Sequence, residues 1–205
     1  MADTTGKVYR RRTMVTMSSV AETRLTPEEY LHRERTAETK SEYYDGIVYA
    51  MTGASPRHNL IVAGIVGELK ARLPRRCKVY PSDQRVRIPK PIRFFYPDAT
   101  VACGESRFDD KDNLLNPLII FEVLSDSTTA FDRGRKFLSY QSIESLQEYV
   151  LVSQDEYLVE HYRRDTGQWV YTVERGLDAM LRLPGAECEL PLREIYYQVS
   201  LEAAE

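Results

Sequence analysis

The sequence predicts a mixed α/β domain, and three observations carry that reading. The run Pro117-Leu118-Ile119-Ile120-Phe121-Glu122-Val123-Leu124 is apolar at both alternating sets of positions, the pattern of a central strand covered on both faces. Two segments open with helix-start chemistry, Thr26-Pro27-Glu28-Glu29 and Ser55-Pro56. Three stretches rich in tyrosine and valine between Tyr149 and Val173 alternate with turn residues, as a meander does.

In chain order, residues 1–24 are polar and form a disordered or extended tail, with a basic knot at Arg10-Arg11-Arg12 that is either solvated or an arm touching phosphate. Met14 and Met17 are alternative starts. A single domain then spans residues 25–200. Its first helix begins at Thr26 and runs to about Glu38. Glu42 to Tyr44 and Ile47 to Met51 form a hairpin hinged at Asp45-Gly46. The helix opened by Ser55-Pro56 stops before Pro74, and Ala63, Gly64 and Gly67 let it lie close against a sheet. Val79-Tyr80 and Arg85 to Ile88 are short strands, and Arg93 to Cys103 is one longer strand with Asp98 inside it. The polar stretch 104–116 turns the chain, so the strand holding Asp98 and the strand holding Glu122 are antiparallel neighbours. Ser125 to Thr129 opens a helix that places Asp132, Lys136 and Tyr140 on one face. After the meander, Leu181 to Leu190 add a hairpin and Pro191 to Tyr196 a closing helical turn.

Composition narrows the function classes. Hydrophobic residues make up 42% and charged residues 29%, ordinary for a soluble globular protein. The net charge of −3 gives no overall basic field, so contact with nucleic acid has to come from a local patch. Arg85, Arg87, Lys90 and Arg93 form the best such cluster, which reads either as a track for a phosphate backbone or as a solvated face. The three cysteines, Cys77, Cys103 and Cys188, have no CxxC spacing, which argues against a disulfide framework or a cysteine-built zinc site and for a reducing cytoplasm. No apolar stretch crosses a bilayer, and no membrane partner is expected. A phosphate-cradling glycine loop and a GxSxG stretch are both absent, against a nucleotide-triphosphate machine or a serine hydrolase.

The chemistry gathers at acids. Glu122 shares a strand face with Leu118, Ile120 and Leu124, where a carboxylate must be hydrogen-bonded, paired or metal-bound. It reads as a strand end reaching water, a structural ion pair, or a ligand. Two strand carboxylates, Asp98 and Glu122, with Lys136 nearby suit a hard divalent cation and a phosphate oxygen. Glu42 is a third acid, either solvent-facing or site-directed. His58, in the first turn of its helix, is either a packing residue or part of the site. The tyrosines of the meander serve either as strand formers or as platforms for bases.

Pro97-Asp98 followed by Glu122-Val123-Leu124 resembles a variant of the PD-(D/E)XK nuclease signature. Together with Glu42 to Gly46, Met51 to His58, Tyr96 to Asp98, and Asp132 through Lys136 to Tyr140, it resembles the Uma-type family of restriction-endonuclease-like proteins, a bacterial domain of unknown function. The likeness covers roughly Leu25 to Ile195. It implies a restriction-endonuclease-like core, a mixed central β-sheet flanked by helices. It also implies a metal-dependent endonuclease acting on nucleic acid, DNA in particular. Asp98, Glu122 and the Val123 backbone carbonyl would hold Mg2+ or Mn2+. Lys136 would orient or activate water, Glu42 would complete the geometry, and Asp132, Tyr140 and His58 would support. One position departs from the pattern: Leu124 stands where the superfamily expects lysine, and the resemblance implies that Lys136 takes over from the next helix. A homodimer is compatible. The alternative keeps the fold without the chemistry, as a module binding nucleic acid or a protein partner.

Overall fold

The computed structural model describes residues 24–51, 53–109, 112–125 and 128–201. The tail expected at residues 1–24 lies, apart from Arg24, outside the described residues.

Helix α1 (Pro27–Glu34) starts as its sequence requires. Thr26 accepts from the Glu29 N–H, and the Glu29 carboxylate accepts from the Thr26 N–H at 2.7 Å. It ends earlier than Glu38 because Glu34 turns to accept from both the N–H and the hydroxyl of Ser41. Strands β1 (Ser41–Tyr44) and β2 (Ile47–Ala50) form the expected hairpin. Asp45 and Gly46 at its tip have φ of 52° and 93°, the left-handed pair such a two-residue turn needs. Helix α2 (Pro56–Arg72) buries Ile61, Ile65 and Leu69.

The strand expected from Arg93 to Cys103 is two strands. β5 (Ile92–Phe95) and β6 (Ala99–Cys103) flank Tyr96-Pro97-Asp98 and belong to different sheets. Pro97 has no N–H to give a ladder, and the Tyr96 N–H donates to a Glu42 side-chain oxygen at 3.1 Å instead of to a strand. The polar stretch after β6 contains two short strands as well as turns, β7 (Phe108–Asp109) and β8 (Asn113–Leu114).

The architecture is mixed α+β, and the strands divide between two large sheets rather than one. With β3 (Cys77–Pro81), β4 (Arg85–Pro89), β9 (Ile119–Leu124), β10 (Glu148–Ser153), β11 (Leu158–Asp165) and β12 (Gln168–Arg175), the first sheet runs β2-β1-β5-β4-β8-β7 and the second β12-β11-β10-β9-β6-β3. A hairpin of β13 (Met180–Leu183) and β14 (Cys188–Pro191) completes the set. β9 is central in the second sheet, parallel to β10 and antiparallel to β6, and every residue in it is buried.

Alternation along β9 sends its side chains into two cores. Ile119, Phe121 and Val123 join α2, β13 and β14 on one face, and Ile120 and Leu124 join Phe95, Tyr140 and Tyr149 on the other. Leu118, expected beside Glu122, precedes the strand and packs with the first group instead. Gly64 on α2 faces the closing turn α5 (Leu192–Ile195) rather than the sheet, since a Cβ there would lie 2.4 Å from the Ile195 carbonyl oxygen.

The cysteine expectation needs correction. Antiparallel pairing of β3 with β6 sets Cys77 opposite Cys103, and the two are joined as a disulfide, while Cys188 is free and buried. Sequence separation hides such pairs because only strand register brings them together. Among the described residues no helix is long and apolar enough to cross a membrane.

Candidate active site

Four segments converge beneath the helical crossover from β9 to β10. The crossover is α3 (Thr129–Phe131), a π-helical turn over Asp132–Lys136, and α4 (Phe137–Tyr140). π-turns within helices are uncommon and recur at functional sites. Here the turn carries Lys136 inward, to 6% exposure. Its ammonium lies 3.0 Å from Glu42 Oε1, 3.1 Å from Glu122 Oε1 and 3.4 Å from Asp132 Oδ1. Tyr140 donates its hydroxyl to the same Glu122 oxygen at 3.0 Å. The shared helical face read from the fourfold spacing thus exists, although the helix that makes it is irregular.

Glu42 is buried rather than solvent-facing, because β1 pairs with β5 and brings it under the Tyr96 N–H. Asp98 lies one residue before β6. The register Ala99↔Phe121 leads directly to Asp98 beside Glu122, and Asp98 Oδ2 accepts from the Val123 N–H at 2.7 Å. His58 joins from α2, with Nε2 3.2 Å from the same Asp98 oxygen.

Charge in this enclosure is tightly coupled. Burial drives the Glu122 carboxyl well above the usual range; Lys136 opposes this, and Asp132, Asp98 and Glu42 add to it. Burial works to lower the Lys136 ammonium, but Glu122, Glu42 and Asp132 outweigh it and hold its pKa well above normal. Tyr140 is pushed up by burial and by Glu122. Burial would lower His58, but its hydrogen bond to Asp98, the Asp98 charge and the Val123 main chain raise it.

One supporting residue was not legible in the sequence. Tyr149 donates to the Asp132 carbonyl at 3.0 Å, bracing the π-turn from β10. Its sequence signal is that of any strand tyrosine. The basic cluster is largely engaged within the protein. Arg85 is 4% exposed and binds Tyr96, Asp112 and Asn113; Arg87 pairs with Asp109, and Arg93 with Asp45 and Ser139. Those three arginines hold protein partners, and of the cluster Lys90 is the member left exposed. The tyrosines Tyr149 and Tyr162 are likewise packed against Phe137, beside Trp169.

Residues 27–193 match the family profile described as "Uma2: Putative restriction endonuclease". The chain belongs to the Uma2 family. It is 39% identical over 168 residues to the uncharacterized protein sll1609 of Synechocystis sp., covering 80% of this chain and 95% of that one. The uncharacterized protein slr1290 of the same organism is 35% identical over 149 residues, covering 72% and 78%. The fold is similar to a crystal structure titled "putative nuclease belonging to DUF820" from Anabaena variabilis, at a TM-score of 0.68 and 20% identity, covering 86% of this chain and 99% of that one. Within this Uma2 chain, Asp98, Glu122, Glu42 and Lys136 come together, and His58, Asp132 and Tyr140 border them.

The donors near Asp98 and Glu122 are carboxylate and main-chain oxygens, the chemistry that Mg2+ and Mn2+ accept. Among the described residues, no three His, Cys, Asp or Glu side chains converge as a ready-made ion cage. Glu122 and Glu42 are turned to Lys136, and Asp98 to Val123 and His58. The donor chemistry is of the kind magnesium takes, two carboxylates, a carbonyl and water, while the carboxylates themselves are engaged by protein partners.

Proposed function

We propose that this protein is a metal-dependent endonuclease that hydrolyses phosphodiester bonds of nucleic acid, with DNA as substrate. The observation that carries the reading is Lys136 placed against both Glu122 and Glu42, with Asp98 secured one register step away. Asp98, Glu122 and the Val123 carbonyl would hold Mg2+ or Mn2+, which supplies Lewis acidity toward a phosphate oxygen. Lys136 acts as a donor rather than a base: its raised pKa keeps it an ammonium at neutral pH. In that state it holds the attacking water by hydrogen bond and offsets charge developing on the phosphate. Glu42 and Asp132 fix the ammonium, and Tyr140 fixes the Glu122 carboxylate. Cutting both strands of a duplex takes two such sites, which a homodimer supplies.

Nicking of supercoiled plasmid with and without MgCl2 or MnCl2 tests this reading. The wild-type protein should nick only with metal, and Asp98→Ala and Glu122→Ala should abolish nicking. Nicking that persists in both variants refutes the assignment.

A further inference from the structure

Cys77 and Cys103 occupy the last rung of the β3–β6 ladder, Cys77 opening one strand and Cys103 ending the other. Among the described strands β3 is also the outermost of its sheet, so no further strand covers that side of the pair. Both cysteines are only partly buried, packed at the rim of the core that holds α2. Beyond Cys103 the chain turns at Gly104, where a Cβ would meet nothing within 4 Å, so space lies open beside the pair. Around Cys77 the chain is cationic: Arg75, Arg76 and Lys78 are all exposed. Arg76 is held by Glu187 at 2.9 Å, and Lys78 lies 3.4 Å from Ser106 Oγ.

A disulfide shut inside a core is out of reach of thiols. One that is accessible and set among cations is open to exchange, because the departing sulfur leaves as a thiolate that positive charge stabilises. We propose that Cys77–Cys103 is a thiol–disulfide exchange site, opened by a dithiol, and that its redox state sets the stability of the chain. One thiolate of the dithiol attacks a sulfur of the pair, and the other cysteine leaves as a thiolate. The second thiol of the reagent then displaces the first from the mixed disulfide. Two electrons and two protons pass to Cys77 and Cys103, and the reagent ends as a disulfide. The two sulfurs close a loop with a sequence separation of 26, which contains β4, β5 and Asp98. Opening it restores freedom to the unfolded chain and so weakens the fold. Cys188 is a bystander: its neighbour Glu187 meets Arg76, but the thiol is buried, and burial holds its pKa above the ordinary value. Nothing in this chemistry depends on the nuclease reading.

Thiol alkylation read by mass spectrometry, with thermal melts beside it, tests this on the full chain. Protein purified without reductant and then denatured should alkylate at Cys188 alone. After dithiothreitol has acted on the native protein, Cys77 and Cys103 should alkylate as well. Reduction should lower the melting temperature by roughly 5–10 °C, and oxidised glutathione should restore it. The double variant Cys77→Ala, Cys103→Ala should melt at the reduced value with or without dithiothreitol. Three free thiols before any reductant, or a bond that dithiothreitol opens only in denaturant, overturns the exchange site. A wild-type melting temperature that is the same with the bond closed and open overturns its hold on stability.

Discussion

Lys136 reaches Glu122 from fourteen residues further along the chain, with 3.1 Å between ammonium and carboxylate oxygen. The lysine is absent from β9 itself, where Leu124 stands and packs into the core between the sheets. The π-turn in the crossover restores the amine to the carboxylates by another route. The pairing also ties the placement of the amine to the stability of the buried cluster.

Replacing Lys136 with Ala should therefore have two effects. Glu42, Glu122 and Asp132 lose their shared cation, which should cost about 3–5 kcal/mol at neutral pH, since a broken buried pair leaves charge uncompensated. Nicking by the folded fraction should fall by about 100-fold or more, as when a transition-state donor is removed. Urea melts and plasmid nicking, each normalised to folded protein, measure the two. Undiminished turnover removes Lys136 from the mechanism.

Glu122→Gln should separate function from stability. The native state holds the Glu122 proton more tightly than the unfolded chain does, because burial raises its pKa. That contribution is fully present below the unfolded pKa of about 4.3 and is lost as pH rises through the folded value. The variant should abolish nicking, and between pH 4 and pH 8 it should lose less stability than wild type does, whatever the lost partner of Lys136 costs at both. Denaturant melts at the two pH values check the sign.

Asp98→Asn keeps an acceptor for the Val123 N–H and removes the charge. The wild-type melting temperature should rise with millimolar MnCl2 and return on chelation with EDTA, since a ion bound only by the native state stabilises it. The variant should melt normally without metal and show no such rise.

Gly64→Ala should destabilise without touching the chemistry. The added Cβ would meet the main-chain oxygens of Ile195 and Glu194, at 2.4 and 3.0 Å. Backbone cannot yield as a side chain does, so a loss of about 1–3 kcal/mol is expected. Nicking per folded molecule should be unchanged.

Arg85→Ala should unfold rather than unbind. The guanidinium is buried among Tyr96, Asp112 and Asn113, and its loss should cost about 3–5 kcal/mol. The salt dependence of nucleic-acid binding should stay that of the wild type, because Arg85 neutralises no phosphate.

Local signals written into consecutive residues were legible in the chain alone. Thr26 and Ser55 announce their helices, Asp45-Gly46 its hairpin, and the apolar run around Glu122 its burial. The expectation failed where a side chain far away chose a different partner. A Glu42 oxygen takes the Tyr96 N–H and helps divide the predicted strand at Pro97, and Asp109 and Asp112 claim the arginines that looked ready for phosphate.

By itself, then, the sequence determined where the helices start, where the first hairpin turns and that the Glu122 strand is buried. The tertiary structure alone decided that the strands form two sheets, that Cys77 meets Cys103, and that Tyr149 braces the turn carrying Lys136. The physical reason is range. Capping, turn geometry and periodicity act between residues a few positions apart, whereas register, burial and charge pairing depend on which distant segments come to lie side by side.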